Sequence, residues 1–493
     1  MNTLNRLTYL KTIDNVIASG PFSDTWDSLS AFRVPEWYAH AKFGIFIHWG
    51  VYSVPAFGNE WYPRNMYKRG SPEFEHHVNT YGPHKAFGYK DFIPLFKAEK
   101  FDTTNWADLF AQAGAKYVVP VAEHHDGFQM YQSDLSEWNA AEKGPHRDVL
   151  GELRQALAQR GITFGASTHR VEHWFFMGHG KEFESDIHEP LRCGDFYWPA
   201  QTEGDQQDLF SQPAPSAGFM EDWLMRCCEI VDNYRPKLIF FDWWIQQSAV
   251  KPYLRKFAAY YYNRAAHWGD EVVITYKHDA FPFGCAVPDV ERGQFADIKP
   301  FFWQADTTVA KDSWCYTEGN TYKNPRDLIC DLCDIVSKNG VMLLNIGPKA
   351  DGTIPHEDAG ILREIGAWLR VNGEAIYGTS CWRTSGEGPV RIREGHFTDG
   401  EDRGFTSRDI RFTIKGNKLY AIVLAYPADG KVCISSLAKL DPMSLPSFSG
   451  IIKGVDVLGF DEKPLWQRDE KGLSIQTHGV AGRYPVVFRV TID

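Results

Sequence analysis

Short apolar runs alternate with longer segments of helical periodicity between about residues 40 and 375. The apolar runs predict six strands, at residues 43–49, 117–122, 162–167, 238–242, 272–276 and 341–346. Few polar residues interrupt these runs, as is typical of parallel strands that are covered on both faces. Helical patterns lie between them, notably at residues 148–160 and 324–339. This α/β alternation predicts a (β/α)8 TIM-like barrel, with a doubly wound open sheet as the alternative.

The pattern changes after about residue 380. Short and partly alternating segments, separated by Gly, Pro and Asp, follow at residues 418–425, 431–435 and 484–490. This arrangement predicts a C-terminal antiparallel β-sandwich. We therefore divide the chain into three parts: an N-terminal amphipathic helix and lead-in at 1–34, a barrel at 35–378 and a β-sandwich at 379–493.

The N-terminal segment carries an apolar residue every three or four positions, at Leu4, Leu7, Leu10, Ile13 and Ile17. This spacing predicts an amphipathic helix docked on the body of the protein, whereas a secretory signal would carry a continuous apolar run. A stretch of about 18 apolar residues, which would span a membrane, is absent. The nine cysteines do not form the dense, even-numbered pattern of a disulfide framework. We expect a cytoplasmic protein without a membrane partner.

Charge and aromatic content narrow the class of ligand. The 493 residues include 52 Lys and Arg against 63 Asp and Glu, so the formal net charge is −11, which argues against a nucleic-acid partner. Aromatic residues make up 15% of the chain. Most of them must lie in the core, but such an excess also lines clefts for ring-shaped ligands and is compatible with a homo-oligomeric interface.

Side chains suited to sugar chemistry follow five of the predicted strands. A parallel barrel builds its active site where its strands end. The residues at these ends are His48-Trp49, Glu123-His124-His125-Asp126, His169-Arg170, Asp242-Trp243-Trp244 and Lys277-His278-Asp279. Imidazoles and carboxylates bind hydroxyl groups, indole faces pack against the apolar side of a pyranose, and paired carboxyls can cleave a glycosidic bond.

Several long motifs make the chain recognisable. They are residues 41–55 with Glu60-Trp61-Tyr62, residues 114–128 with Trp138-Asn139 and Arg147-Asp148, and residues 339–352 with 366–378. Through them the chain resembles glycoside hydrolase family 29, the α-L-fucosidases, over roughly residues 35 to 380. The resemblance implies a retaining exo-α-L-fucosidase that hydrolyses terminal α-L-fucosyl residues of fucosylated glycans or glycoconjugates through a covalent fucosyl-enzyme, without a metal or organic cofactor.

The resemblance also implies the catalytic pair. The family places an aspartate nucleophile after the fourth strand, and Asp242 occupies that position. Glu291, in the segment 288–293 (PDVERG), is implied as the acid/base, because this segment resembles the one that carries the acid in a subgroup of the family. Glu172 and Glu318 remain rival candidates for the acid/base.

The sugar-binding residues implied by the resemblance are His48, Glu60, Trp61, His124, His125 and Trp314. At the third strand the chain reads GASTHR over 165–170, where the family commonly carries a tyrosine, so we expect His169 to replace the tyrosine hydroxyl as a hydrogen-bond donor. Adjacent residues of a strand point to opposite faces, so His124 and His125 can both reach one ligand only if the chain bends after the strand.

Three other functions stay open at this stage. A metal-dependent hydrolase could use the histidines around residues 124 and 169, although the usual H-x-H and H-E-x-x-H spacings are missing. A non-catalytic carbohydrate-binding relative, or an α-glycosidase that acts on a fucose-like sugar, would keep the same cleft. Cys330 and Cys333 lie in a helical pattern and are interpreted as buried thiols rather than a redox pair.

Overall fold

Eight parallel strands close into a barrel. The structure is a computed structural model that describes residues 3–204, 208, 210, 214–399, 404–439 and 448–493. The barrel strands are β1 (Phe43–Ile47), β2 (Tyr117–Glu123), β3 (Thr163–Thr168), β4 (Leu238–Phe241), β5 (Val273–Tyr276), β6 (Val287–Glu291), β7 (Trp303–Thr308) and β8 (Gly340–Ile346). Each strand pairs with the next, and β8 pairs with β1, so the predicted barrel is confirmed and the open sheet is excluded.

Strands β6 and β7 have no counterpart among the six predicted strands. Both carry polar residues in their centres, Asp289 in β6 and Gln304 and Asp306 in β7. These side chains are buried, and Gln304 Nε2 donates to Asp289 Oδ1 at 2.7 Å. The barrel interior is therefore polar on this side, which removes the continuous apolar run by which the other strands are recognised.

Helices cover the barrel and connect its strands. They are α1 (Thr3–Ser19), α2 (Trp26–Leu29), α3 (Glu36–Ala41), α4 (Tyr62–Asn65), α5 (Pro72–Tyr81), α6 (Thr103–Gln112), α7 (Val149–Ala158), α8 (His173–Phe176), α9 (Ala217–Tyr234), α10 (Lys251–Trp268), α11 (Pro325–Ser337) and α12 (His356–Asn372). Helix α7 begins where Asp148 accepts from Gly151 N, and α11 begins where Asn324 accepts from Arg326 N. Such caps satisfy backbone donors that a helix leaves unpaired at its first turn.

The N-terminal helix α1 packs against α10 and α9, but Leu7, one of the five apolar positions of the predicted stripe, is 54% exposed. Ile13 is fully buried, and the Tyr9 hydroxyl donates to Asp232 Oδ2 of α9 at 3.0 Å. The side chain of Leu4 lies outside the described residues. In the part of the chain that the structure covers, helices long and apolar enough to cross a membrane are not found.

The C-terminal region folds as two antiparallel sheets. Its strands are β9 (Ser380–Glu387), β10 (Ile410–Lys415), β11 (Lys418–Val423), β12 (Lys431–Ile434), β13 (Ile452–Val457), β14 (Leu465–Arg468), β15 (Leu473–Gln476) and β16 (Val486–Ile492). One sheet has the order β13-β16-β11-β10-β9, and the other has the order β12-β15-β14. A single apolar core, which includes Phe412 and Phe488 from the first sheet and Ile475 from the second, lies between them.

A buried ion cluster joins this region to the barrel. Asp334 of α11 pairs with Lys338 one turn later and with Arg411 of β10, and all three residues are buried. A buried carboxylate is costly unless it is paired, so Arg411 fixes the C-terminal region against α11.

Candidate active site

One cavity of about 520 Å³ at the carboxyl ends of the barrel strands brings the predicted site residues together. Its lining includes His48, Glu60, Trp61, His124, His125, His169, Asp242, Glu291 and Trp314, as well as the rival Glu172. A larger cavity of about 830 Å³ lies beside it, where Arg292 and Asp399 face α11, and contains none of these residues. The sequence-predicted residues therefore form one site.

Asp242 follows β4 directly, and three basic side chains lie around its carboxylate. Its Oδ2 lies 2.9 Å from His169 Nδ1 and 3.6 Å from His125 Nε2, and its Oδ1 lies 3.8 Å from Lys277 Nζ. The side chain is only 14% exposed. Burial alone would raise the pKa of Asp242, but the hydrogen bond from His169 and the charge of Lys277 hold this pKa well below its ordinary value. The carboxylate is therefore ionised at neutral pH.

The main contact of the His169 ring is with Asp242. Its Nδ1–H donates to the ionised carboxylate at 2.9 Å, and its Nε2 lies 3.0 Å from Ser167 Oγ. The sequence led us to expect a donor to the sugar in place of a tyrosine hydroxyl. The ring lines the cavity, but the contact that the structure assigns to it is with Asp242.

The other cavity histidines are neutral. Burial, reinforced by neighbouring imidazoles, lowers the pKa values of His48 and His124 well below the ordinary range. Burial likewise lowers the pKa of His125 to about 3, although Asp242 opposes this shift. His48 Nδ1 donates to Asn345 Oδ1 at 2.7 Å, and His125 Nδ1 donates to the His169 carbonyl at 2.9 Å. Each ring therefore keeps its Nε2 lone pair, which can accept a hydrogen bond from a sugar hydroxyl.

The bend required after β2 is present. The pairing of β2 with β3 shifts register between Val121 and Glu123, so one extra residue of β2 is accommodated there. His124 and His125 follow this irregularity, and both line the cavity. Glu123 itself turns away from the cavity and pairs with Arg170 at 2.6 Å and Arg226 at 3.0 Å, which makes it a structural residue.

Glu60, Trp61 and Trp314 form a wall of the cavity. Glu60 Oε2 accepts from the Trp314 backbone N–H at 3.0 Å, and burial raises the pKa of Glu60 above its ordinary value. The Trp61 ring centroid lies 5.6 Å from that of His125, and the Trp314 centroid lies 5.1 Å from that of His48. An indole face beside an imidazole offers apolar contact and a hydroxyl acceptor within one small area.

Glu291 ends β6 across the cavity from β4. Its Oε2 accepts from Lys277 Nζ at 2.6 Å and from the Trp243 indole N–H, and its own backbone N–H donates to His396 Nδ1 at 2.9 Å. Burial raises the pKa of Glu291, Lys277 opposes that shift, and the charge of Asp242 adds to it. A carboxyl with a raised pKa suits a general acid.

The two rival glutamates differ in position. Glu172 is buried, with Oε1 3.7 Å from His125 Nε2 and Oε2 without a hydrogen-bond partner, and burial raises its pKa well above the ordinary value. It therefore remains a rival. Glu318 is exposed, lies outside the cavity lining and acts electrostatically on His76, so the structure does not bring it to the site.

Lys277 is the central residue that the sequence did not single out for a role. It follows β5, is 1% exposed, and its Nζ lies within 4 Å of four carboxyl groups. These belong to Asp242, Asp289, Glu291 and Asp306, the last at 3.0 Å. Burial would lower the pKa of Lys277, but these carboxyls raise it well above its ordinary value, so the amine stays charged. The sequence did contain one signal for this role, because Lys277 follows a predicted barrel strand directly, as the other site residues at strand ends do.

Strained backbone marks the same strand ends. Trp244, His278 and Arg292 have φ values of 74°, 51° and 46°, in the left-handed region that bulky residues avoid. They follow Asp242, Lys277 and Glu291 by one or two positions. A residue held there costs about 1–3 kcal/mol, and such strain concentrates at functional sites.

The histidines also have the donor set of a metal site. The donor atoms of His48, His124 and His169, and those of His125, His169 and Asp242, lie within 4.8 Å of one another in each group. Neutral imidazoles with a carboxylate are ligands that Zn²⁺ accepts. An ion in either group would lie inside the cavity beside Asp242, where a sugar would otherwise bind.

An ionised carboxylate, a second carboxyl with a raised pKa and aromatic walls at the carboxyl face of a barrel define a glycoside hydrolase. The family profile described as "Alpha-L-fucosidase" matches residues 10–374, and the profile "Alpha-L-fucosidase C-terminal domain" matches residues 403–483. Human plasma α-L-fucosidase is 33% identical over 428 residues, which cover 83% of this chain and 80% of the relative. Human tissue α-L-fucosidase is 31% identical over 488 residues, or 95% and 91% of the two chains. The chain belongs to the α-L-fucosidase family.

Solved structures agree with this assignment. Thermotoga maritima α-fucosidase in complex with fucose superposes with a TM-score of 0.73 at 30% identity, over 95% of this chain and 100% of that one. The same enzyme in complex with a mechanism-based inhibitor gives a TM-score of 0.74 at 29% identity, with the same coverage. The resemblance found in the sequence motifs is confirmed, and the chain is a glycoside hydrolase of the α-L-fucosidase class (EC 3.2.1.51).

The position of Lys277 yields a pH prediction. Its charge favours the ionised form of Glu291, so Lys277→Met raises the pKa of Glu291. With Glu291 as the acid expected from the sequence, the basic limb of the kcat/KM profile then moves to higher pH. Activity at the optimum falls about 10- to 100-fold, because a hydrogen bond to a charged group contributes about 1.5–3 kcal/mol. The measurement is kcat/KM against pH on an aryl α-L-fucoside, with circular dichroism to verify folding. Lys277→Arg, which keeps the charge, is the control, and a basic limb that stays in place or moves to lower pH in Lys277→Met contradicts this role.

Proposed function

We propose that the protein is a retaining exo-α-L-fucosidase in which Asp242 is the nucleophile and Glu291 the acid/base. The observation that supports this pairing is their common contact with Lys277. Asp242 Oδ1 and Glu291 Oε2 lie 3.8 Å and 2.6 Å from Lys277 Nζ, so these two oxygen atoms, one from each carboxyl, are at most the sum of these distances, 6.4 Å, apart. Retaining pairs are about 5–5.5 Å apart, and inverting pairs are about 6.5–9.5 Å apart, which favours retention.

In the first step an oxygen of Asp242 bonds to C1 of the fucosyl residue as the C1–O bond to the leaving group breaks. The Glu291 carboxyl gives its proton to the departing oxygen, so the leaving group departs as a neutral alcohol. The product is a glycosyl ester on Asp242. A carboxylate that is ionised at neutral pH and backed by His169 is prepared for this attack.

In the second step Glu291, now a carboxylate, removes a proton from water, and the water oxygen bonds to C1. The ester bond breaks and Asp242 regains its negative charge. Two inversions at C1 give α-L-fucose, so the anomeric configuration is kept. Lys277 contacts both carboxyls and stabilises whichever one is charged at each stage.

Recognition of the sugar is proposed for the remaining cavity residues. His48, His124 and His125 offer neutral imidazoles to hydroxyl groups, and Glu60 offers a carboxyl beside them. Trp61 and Trp314 offer apolar faces. Fucose is also the sugar bound in the complex of Thermotoga maritima α-fucosidase, a relative that is 30% identical to this chain. A fucose-like sugar that differs in its C6 group is the alternative, since an apolar wall rejects an added hydroxyl only weakly.

The cytoplasmic location expected from the sequence stays a prediction. All nine cysteines are free thiols, the form that a reducing compartment maintains, and this is what supports the proposal.

The stereochemical outcome and the nucleophile can be tested together. A proton NMR time course on an aryl α-L-fucoside shows the α anomer first if the mechanism is retaining. Asp242→Ala lowers kcat by at least about 10⁴-fold with the fold intact, because the covalent step is lost. Added azide partly restores turnover, because an azide nitrogen bonds to C1 in place of the missing carboxylate as the C1–O bond to the leaving group breaks, which gives a fucosyl azide. Initial release of the β anomer, or an Asp242→Ala variant that keeps most of its activity, contradicts the proposal. The assay is run with and without a chelator, since loss of activity on chelation would favour a metal-dependent hydrolase.

Glu291 and its rival Glu172 can be separated with matched variants. Glu291→Gln keeps the shape but cannot give up a proton, so the loss of kcat/KM is about 10²- to 10⁴-fold on a fucosyl disaccharide. The loss is much smaller on a fucoside whose leaving group needs no protonation, such as 2,4-dinitrophenol. Glu172→Gln is the control and shows no such dependence on the leaving group. If the dependence follows Glu172→Gln instead, Glu172 is the acid.

A further inference from the structure

A segment of the C-terminal region forms part of the active-site wall. We call residues 395–399, which lie between β9 and β10, the C-terminal wall. Its Gly395 N donates to Gln294 O at 3.1 Å, its Phe397 N to Glu291 O at 2.8 Å and its Thr398 N to Arg292 O at 2.7 Å. The wall thus pairs with the end of β6 and with the residues that follow it, and lies directly against the proposed acid/base.

Phe397 is the exposed aromatic residue of this wall. Its ring lines the same cavity as Asp242 and Glu291, yet it is 60% exposed. It lies nearly parallel to the Trp243 ring, with an interplanar angle of 16° and centroids 6.0 Å apart. Its backbone φ is +57°, in the left-handed region that is strained for a bulky residue. Strain that exposes an apolar ring at the mouth of a cavity indicates a ligand-binding role.

The position of the Phe397 and Trp243 rings relative to Glu291 indicates which part of the substrate they contact. The Trp243 indole N–H donates to Glu291 Oε2, so the surface is in direct contact with the carboxyl that protonates the departing oxygen. In the proposed mechanism the fucosyl ring lies over Asp242, because its C1 must reach that carboxylate. The ring attached through the departing oxygen must therefore lie on the side of Glu291, where Phe397 and Trp243 are.

We propose that Phe397 and Trp243 form the subsite for the leaving group and take a pyranose ring, the sugar to which fucose is linked. This inference rests on the proposed function, because it uses Glu291 as the acid. The flat apolar pair suits the CH face of a pyranose.

Two imidazoles border the pair. His278, whose ring centroid is 4.0 Å from that of Trp243, has a buried Nε2 without a hydrogen-bond partner. His396 accepts at Nδ1 from Glu291 N, so its Nε2–H can donate.

Binding measurements distinguish a role of Phe397 in holding the leaving-group sugar from an indirect effect of Phe397 on Glu291 as the acid. In a Glu291→Gln background, whose turnover of the disaccharide is about 10²- to 10⁴-fold slower, titration calorimetry gives Kd for L-fucose and for a fucosyl-α-linked N-acetylglucosamine before hydrolysis is appreciable. Adding Phe397→Ala weakens disaccharide binding about 10-fold, and fucose binding changes less than about 2-fold. Phe397→Trp restores the disaccharide affinity. Phe283→Ala is the matched control, since Phe283 is 71% exposed but packs on Phe301 away from the cavity.

Kinetics on the otherwise unchanged enzyme provide the second test. Phe397→Ala lowers kcat/KM about 10-fold on the disaccharide and leaves hydrolysis of α-L-fucosyl fluoride, whose leaving group has no ring, within about 2-fold. Equal losses on both substrates, no loss on either, or equal weakening of both ligands overturns the inference. A change of molecular mass by light scattering in Phe397→Ala also overturns it, because the ring would then belong to an interface between copies. If the unaltered enzyme hydrolyses neither substrate, the proposed function itself fails.

Discussion

The site depends on keeping one carboxylate charged inside a largely aromatic cavity. Removing Asp242 from water disfavours its ionised form, and the structure opposes this with a hydrogen bond from His169 and the ammonium of Lys277. The neighbouring histidines are themselves neutral because they are buried together, so they offer lone pairs rather than positive charge. Charge is thus concentrated at the point where a glycosyl ester would form, and the surrounding groups remain available for neutral hydroxyls.

Lys277 links the charge of Asp242 to the carboxyl groups of the neighbouring strands. Its single charge faces Asp242, Glu291, Asp289 and Asp306, and burial raises the pKa values of the last three. The result is an ionised carboxylate on β4 beside a carboxyl on β6 that resists ionisation, which is the asymmetry that a nucleophile and an acid require. Asp289 of β6 and Asp306 of β7 are therefore counterions of the Lys277 ammonium and not defects of the core.

The sequence was informative where a pattern is local. Continuous apolar runs revealed six barrel strands, and each of the nine candidate site residues lines one cavity, since carboxyl ends of parallel strands converge. The sequence did not predict features that depend on contacts between residues far apart in the chain. Strands β6 and β7 were missed because their inward residues are polar, and Lys277 received no role because its meaning depends on four distant carboxyls. Phe397 lies about 100 residues after Glu291, and nothing in its local sequence indicates the contact that brings it back.

The central claim, that Asp242 becomes covalently bonded to the sugar, is tested most directly by trapping the intermediate. The enzyme is incubated with 2-deoxy-2-fluoro-α-L-fucosyl fluoride. The fluorine at C2 slows both steps, but the good leaving group at C1 speeds the first, so the covalent intermediate accumulates. Intact-protein mass spectrometry then shows one added fluorofucosyl group, and peptide mapping places it on Asp242. Enzyme that turns over fucosides but carries no label, or a label on another residue such as Glu172 or Glu291, would contradict the account.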